Sequence, residues 1–143
     1  MAENKRYIAF TVLGKPLGKQ RPRFSRQGTA VRTYTPRKTQ EYENLVRISY
    51  RAASKQKLEG AISATIYGYF EPPKSISKKQ RARMLNGEIS YIKKIDSDNL
   101  AKSILDALNG VAYDDDSQVC LLIVQKLYAE TARVEVVLEE INK

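Results

Sequence analysis

The sequence predicts an α+β fold: one mixed or antiparallel β-sheet packed with two main helices, in a single domain over residues 1–143. Three observations predict it. Four apolar, β-prone stretches (7–13, 61–70, 118–127 and 132–138) are set apart by Gly, Pro, Asn and Asp. Two other stretches, 36–57 and 98–109, repeat apolar residues at helical spacing. No internal repeat or linker divides the chain, and 143 residues suffice for one hydrophobic core.

Tyr7–Leu13 (YIAFTVL) is the first strand. The Gly and Pro residues of Gly14–Arg23 (GKPLGKQRPR) forbid a regular helix, leaving a loop loaded with cations. Gln27-Gly28-Thr29 predicts a turn, the tip of a hairpin reaching Arg32-Thr33-Tyr34. Thr35 is placed to cap a helix with Pro36 in its first turn, running to about Gln56 or Lys57. Tyr42, Leu45, Val46, Ser49, Tyr50 and Ala53 share one of its faces. Beyond Gly60, Ala61–Phe70 alternates about Ile62, Ala64 and Ile66 as a strand, which Glu71-Pro72-Pro73-Lys74 ends. The polar, basic stretch Ser75–Asn86 allows one short helix starting at Ser77.

Asp98 or Asn99 opens the second main helix, which carries Leu100, Ala101, Ile104, Leu105 and Leu108 as its apolar stripe. Asn109-Gly110 stops it with a left-handed cap. Gln118–Leu127 is apolar on both faces and so reads as a central buried strand, with Cys120 a small core residue. Ala132–Leu138 points Ala132, Val134, Val136 and Leu138 inward, and should pair with the preceding strand through a turn near 129–131.

Composition narrows the chemistry. The formal charge is +9, split as +11 over residues 1–58 and −2 over residues 59–143. That asymmetry suits a polyanion gripped by one part and processed by another; a basic surface with no specific ligand is the plainer reading. Histidine is absent, which excludes Ser-His triads and His-ligated zinc. The single cysteine excludes an internal disulfide framework and suits a reducing cytoplasm. No signal peptide or membrane-length apolar run is present, so neither a membrane nor export is expected.

Against this basic background, acids gather at Asp96-Ser97-Asp98 and at Asp114-Asp115-Asp116. Concentrated carboxylates repel unless a cation lies between them. In an extended segment Asp96 and Asp98 project to one side, where they can hold Mg²⁺ or Mn²⁺ as hard oxygen donors. A further carboxylate must then come from the 114–116 loop. Lys102, one turn after Asp98, is placed to neutralise the site or position a phosphate. Each residue also has a plain structural use: Asp98 as a helix cap, Lys102 as the surface partner of Asp98 or Asp106, and Asp114–Asp116 as a solvated turn.

The run from Asp96 to Val119 reads D-x-D-N-L-x-K-x-x-x-D-A-L-N-G, then Y-D-D-D-S-Q-V. With Gly14-Lys15-Pro16, Lys19-Gln20-Arg21-Pro22-Arg23 and Tyr34-Thr35-Pro36 upstream, it resembles the RusA family of Holliday junction resolvases. The resemblance covers most of the chain. It implies a homodimeric endodeoxyribonuclease, often phage- or prophage-encoded, that resolves four-way DNA junctions in recombination and repair by paired symmetric nicks. It implies Mg²⁺ or Mn²⁺ and no small-molecule cofactor. The family's catalytic aspartates match Asp96, Asp98 and Asp116, with Asp115 as a helper at the metal, and its essential lysine matches Lys102. Some members carry arginine directly before the first aspartate; here that place is Ile95, and Lys93 and Lys94 stand just upstream. Lys19, Arg21 and Arg23, with Lys93 and Lys94, are the candidate DNA contacts. A non-catalytic junction-binding protein, a nuclease of flaps or other branched DNA, and a nucleotidyl- or glycosyltransferase using the Asp-x-Asp are the rival readings. A restriction-type core is disfavoured, since Lys126 follows Val124 where that core would place an acid.

Overall fold

The computed structural model describes residues 5–19, 23–34 and 36–141. Strand β1 (Tyr7–Leu13) is followed by the hairpin β2 (Arg23–Gln27) and β3 (Ala30–Tyr34), turning at Gly28, whose φ of +62° suits glycine. Helix α1 (Arg37–Ala53) leads to β4 (Ile62–Phe70), then come α2 (Lys78–Leu85), α3 (Ser97–Ala107), β5 (Val119–Tyr128) and β6 (Arg133–Glu140). The main sheet has the order β1-β6-β4-β5. Strand β6 runs antiparallel to β1 and β4, and β5 runs parallel to β4, so the sheet is mixed.

One face of the sheet carries the core. Ile8, Phe10 and Val12 of β1, Ile62, Ala64 and Ile66 of β4, and Val134, Val136 and Leu138 of β6 pack against Val46 and Tyr50 of α1, against Leu100 and Ile104 of α3 and against Leu108 just beyond it. Each aliphatic side chain buried there stabilises the fold by about 1.5–3 kcal/mol. The alternate residues face away from the helices, and Tyr7 and Leu13 stand exposed among them. No helix among the described residues is long and apolar enough to cross a membrane.

Several boundaries differ from the sequence reading. Pro36 is the residue before α1 and not part of its first turn, and the proposed Thr35 cap lies outside the described residues. Helix α1 stops at Ala53, not at Gln56 or Lys57. The Tyr50 hydroxyl donates to the Gln56 carbonyl, and the Ser54 hydroxyl accepts from the Gln56 amide. These bonds turn the chain so that Leu58 enters the core, with its amide donating to Ala112 O at 2.7 Å. The buried stripe of α1 is Thr39, Tyr42, Val46 and Tyr50, whereas Leu45 and Ala53 are exposed. Helix α2 begins as expected, with the Ser77 hydroxyl accepting from Gln80 N.

The largest departure concerns β5. It is an edge strand, not a central one, and Leu121, Leu122 and Ile123 are 52%, 43% and 50% exposed. Cys120 is exposed as well, so it is not a core residue. Nor do β5 and β6 form a hairpin. Ala129 donates to Phe70 O and Ala132 donates to the Glu71 carboxylate, carrying the chain across the end of β4. Strand β6 thereby reaches the slot between β1 and β4, where its alternating Val134, Val136 and Leu138 are covered.

Glu140 ties the far end of this sheet together. Its carboxylate accepts from the amides of Arg6 and Glu59 and from the Arg6 guanidinium. Burial alone would raise its pKa, but these donors outweigh burial and hold it below the ordinary glutamate value. A depressed carboxylate stabilises the fold above the unfolded-state pKa and loses that effect as pH falls through the folded-state value. Glu140→Gln should therefore cost about 2 kcal/mol at neutral pH. In urea unfolding, the gap from the parent should close as pH falls through and below the ordinary glutamate range.

Candidate nuclease site

Helix α3 begins one step earlier than its sequence suggests. Asp96 is extended (φ −61°, ψ 144°) and its carbonyl accepts from Leu100 N at 3.0 Å, which makes it the residue before the first turn. Asp98 lies inside that turn, so it is not the cap. The strand-like alternation expected of Asp96 and Asp98 is replaced by the geometry of a helix N-terminus. There the macrodipole favours negative charge. The Asp96 carboxylate makes no capping hydrogen bond, and both acids are exposed.

Four-residue spacing carries Asp98, Lys102 and Asp106 along one side of α3. Lys102 is exposed and takes part in no ion pair among the described residues. The partner of Asp106 is Lys19, at 2.7 Å. Lys19 was expected only as a DNA contact; the structure seats it against an acid of α3.

The second acidic cluster is shaped by its own hydrogen bonds. Helix α3 closes into Gly110 at φ +74°, the left-handed position expected of Asn109-Gly110. Buried Tyr113 donates its hydroxyl to Leu105 O at 2.6 Å, and burial pushes its pKa up strongly. Asp115 caps a single 3₁₀ turn, Asp116–Gln118, accepting from Ser117 N. The Ser117 hydrogen bonds hold its carboxyl below the ordinary value. Gln118 accepts from the amides of Asp114 and Asp115 and donates to Gly60 O. Asp114 is drawn outward onto Lys57 at 2.9 Å.

Asp116 is the perturbed acid of the cluster. Its pKa is raised, first by burial, then by a hydrogen bond with the Asp106 carboxyl and by the charge of Asp115; the Asn109 side chain opposes the shift. Asn109 also accepts from the Asp116 amide at 2.8 Å. Asp106 is thus a site residue that the sequence reading used only as a possible surface partner of Lys102. Its position eight residues after Asp98, on the Asp98–Lys102 side of the helix, was the available signal.

The structure brings Asp106, Asp115 and Asp116 into one interacting group and sets Asp96 and Asp98 at the start of α3. Among the described residues, no three acids are arranged as a ready cage for an ion. The donor chemistry nevertheless suits a hard divalent cation, being all carboxylate oxygen, with the Asp106 and Asp116 carboxyls close enough to perturb one another.

The basic loop docks onto this helix. A methyl group added at Gly18 would collide with Ile95 Cγ2 and lie 2.5 Å from Asn99 Nδ2. Glycine is what lets the loop approach, and Lys19 then reaches Asp106. Gly18→Ala should push the loop off α3 and destabilise the protein by about 1–3 kcal/mol. Thermal melting checks this. Lys93 and Lys94 are exposed on the segment leading to Asp96. Arg21 lies outside the described residues, as does the side chain of Arg23, which opens β2.

Comparison with known proteins adds two findings. The family model described as endodeoxyribonuclease RusA matches residues 14–139. The uncharacterized protein YqaN of Bacillus subtilis (strain 168) is 37% identical over 141 residues, covering 94% of this chain and 97% of that protein.

Proposed function

This chain belongs to the RusA family of endodeoxyribonucleases, and from that premise we propose that it resolves four-way DNA junctions by paired, symmetric, metal-dependent nicks. One observation carries the reading furthest. The cation-rich loop is seated on the acid-bearing helix, Gly18 against Asn99 and Lys19 on Asp106, so that phosphate-binding and carboxylate groups share one surface.

In this reading Asp96, Asp98 and Asp116 hold Mg²⁺ or Mn²⁺, with Asp115 and Asp106 beside them. When bound, the ion supplies a water of lowered pKa and polarises the scissile phosphodiester. Lys102, exposed midway along α3, balances charge at that phosphate. Lys19 orients Asp106 and, with Lys93, Lys94, Arg21 and Arg23, contacts the DNA backbone. Such contacts position the substrate without reading its sequence.

The dimer follows from the same reading, since one chain carries one site and two strands must be cut symmetrically. The second copy is assigned to β5. Among the described residues its outer edge is unpaired in the sheet, residues 119–125 carry no charge, and Leu121 and Ile123 are half exposed. A long uncharged edge is a template for strand addition unless it is covered.

Incubation with a mobile four-way junction, a flap and a linear duplex, with Mg²⁺ or with EDTA, tests the activity. Paired nicks on the junction in Mg²⁺ alone are expected. Preferential flap cleavage, or equal junction binding in both conditions with no cleavage, would replace this reading with one of its rivals.

A further inference from the structure

Asp96 is delivered by residues 93–95, and the three carbonyls of that segment are each held by a side chain. Lys126 Nζ, on β5, donates to Lys93 O at 2.8 Å and to Ile95 O at 2.9 Å. The Tyr91 hydroxyl donates to the carbonyl between them, that of Lys94. Tyr91 is itself fixed. Its ring stacks on Phe70 at 3.9 Å and 8°, meets Tyr128 edge-on at 5.1 Å, and lies 5.3 Å from the Lys126 ammonium. Opposite Lys126 on β4 is Gly68, where a methyl group would lie 2.6 Å from Leu100 Cδ2; the missing side chain lets α3 press onto the sheet at this level.

We infer that Lys126, assisted by the Tyr91 hydroxyl, is a positioning residue that fixes the backbone entering Asp96 and so presets the metal-binding end of α3. The inference rests on the proposed metal site. Lys126 is half-buried, and its ammonium places two of its donors on this one segment. Fastening two carbonyls that directly precede a metal ligand gives the charge a use. Outer-shell groups of this kind commonly change metal affinity by about 10–100-fold.

The test is Mn²⁺ binding to the DNA-free protein, followed by electron paramagnetic resonance, with thermal melting and junction binding in EDTA measured alongside. Lys126→Met should weaken Mn²⁺ binding about tenfold. It should melt cooperatively and still bind junctions in EDTA, because Lys93 and Lys94 keep their charges. Lys126→Arg, which keeps charge and donors, should restore binding to within about threefold. If Lys126→Met binds Mn²⁺ like the parent while Asp98→Asn does not, the positioning role is overturned. If Asp98→Asn also binds like the parent, the metal assignment itself fails and the positioning role falls with it. Should Lys126→Met not fold, Tyr91→Phe decides: it keeps the ring stack and removes one donor, and unchanged Mn²⁺ affinity would overturn the inference.

Discussion

Asp98→Asn should abolish junction cleavage, by at least about 10³-fold, while junction binding in EDTA stays close to that of the parent. The two halves of this expectation come from different parts of the structure. Asp98 is exposed in the first turn of α3 and has no structural partner among the described hydrogen bonds and ion pairs, so an amide fits its place. The dipole of the helix N-terminus loses a favourable charge of only about 0.3–1 kcal/mol. A metal ligand lost at the scissile phosphate removes several kcal/mol from transition-state stabilisation. Cleavage and binding therefore separate. Single-turnover cleavage and a binding titration on the same junction measure both. Full nicking by Asp98→Asn in Mg²⁺ would remove Asp98 from the metal site.

Ile123→Lys should convert the proposed dimer into a monomer and turn the proposed paired cuts into unpaired nicks. Ile123 is 50% exposed on β5, so a lysine meets no steric bar in the single chain. Across a two-fold axis the substitution appears twice, which places like charges on both sides of one interface; such juxtapositions cost several kcal/mol. Light scattering at micromolar concentration reads the mass, and melting shows whether the monomer remains folded. Leu121→Lys on the same strand should behave alike. A parent protein that is monomeric at those concentrations, or an Ile123→Lys protein that remains a dimer, would move the interface away from β5.

What the sequence made legible, and what it hid, follow from the range of the interactions involved. Strand β1, the Gly28 turn, the alternation of β4 and the Gly110 cap depend on residues close in sequence, and all appear where the pattern places them. The position of β5 depends on which strand lies beside it. An uncharged run such as Val119–Val124 is compatible with a central strand and equally with an edge that a second molecule covers. The β6 partner is hidden for a similar reason: a short turn at 129–131 suggests a hairpin, but the Ala129–Phe70 and Ala132–Glu71 hydrogen bonds lead the chain past β4. At the site, the order of Asp96, Asp98, Lys102 and Asp116 along the chain was readable from the motif. The contact of Asp106 with Lys19 joins positions far apart in sequence. The grip of Lys126 on residues 93 and 95 likewise links a strand to a loop about 30 positions upstream, and no local pattern announces it.

In the proposed reaction two such sites act together on one branched DNA. Cleavage of a supercoiled plasmid carrying an extruded cruciform tests it most directly. Two coordinated nicks across the junction within one bound complex release a linear molecule, whereas uncoordinated nicking relaxes the plasmid, reabsorbs the cruciform and leaves an open circle. With Mg²⁺ present, linear product appearing without prior accumulation of open circles is the predicted result. Open circles as the main product, or no cleavage of the cruciform at all, would mean that the two sites do not cut in concert.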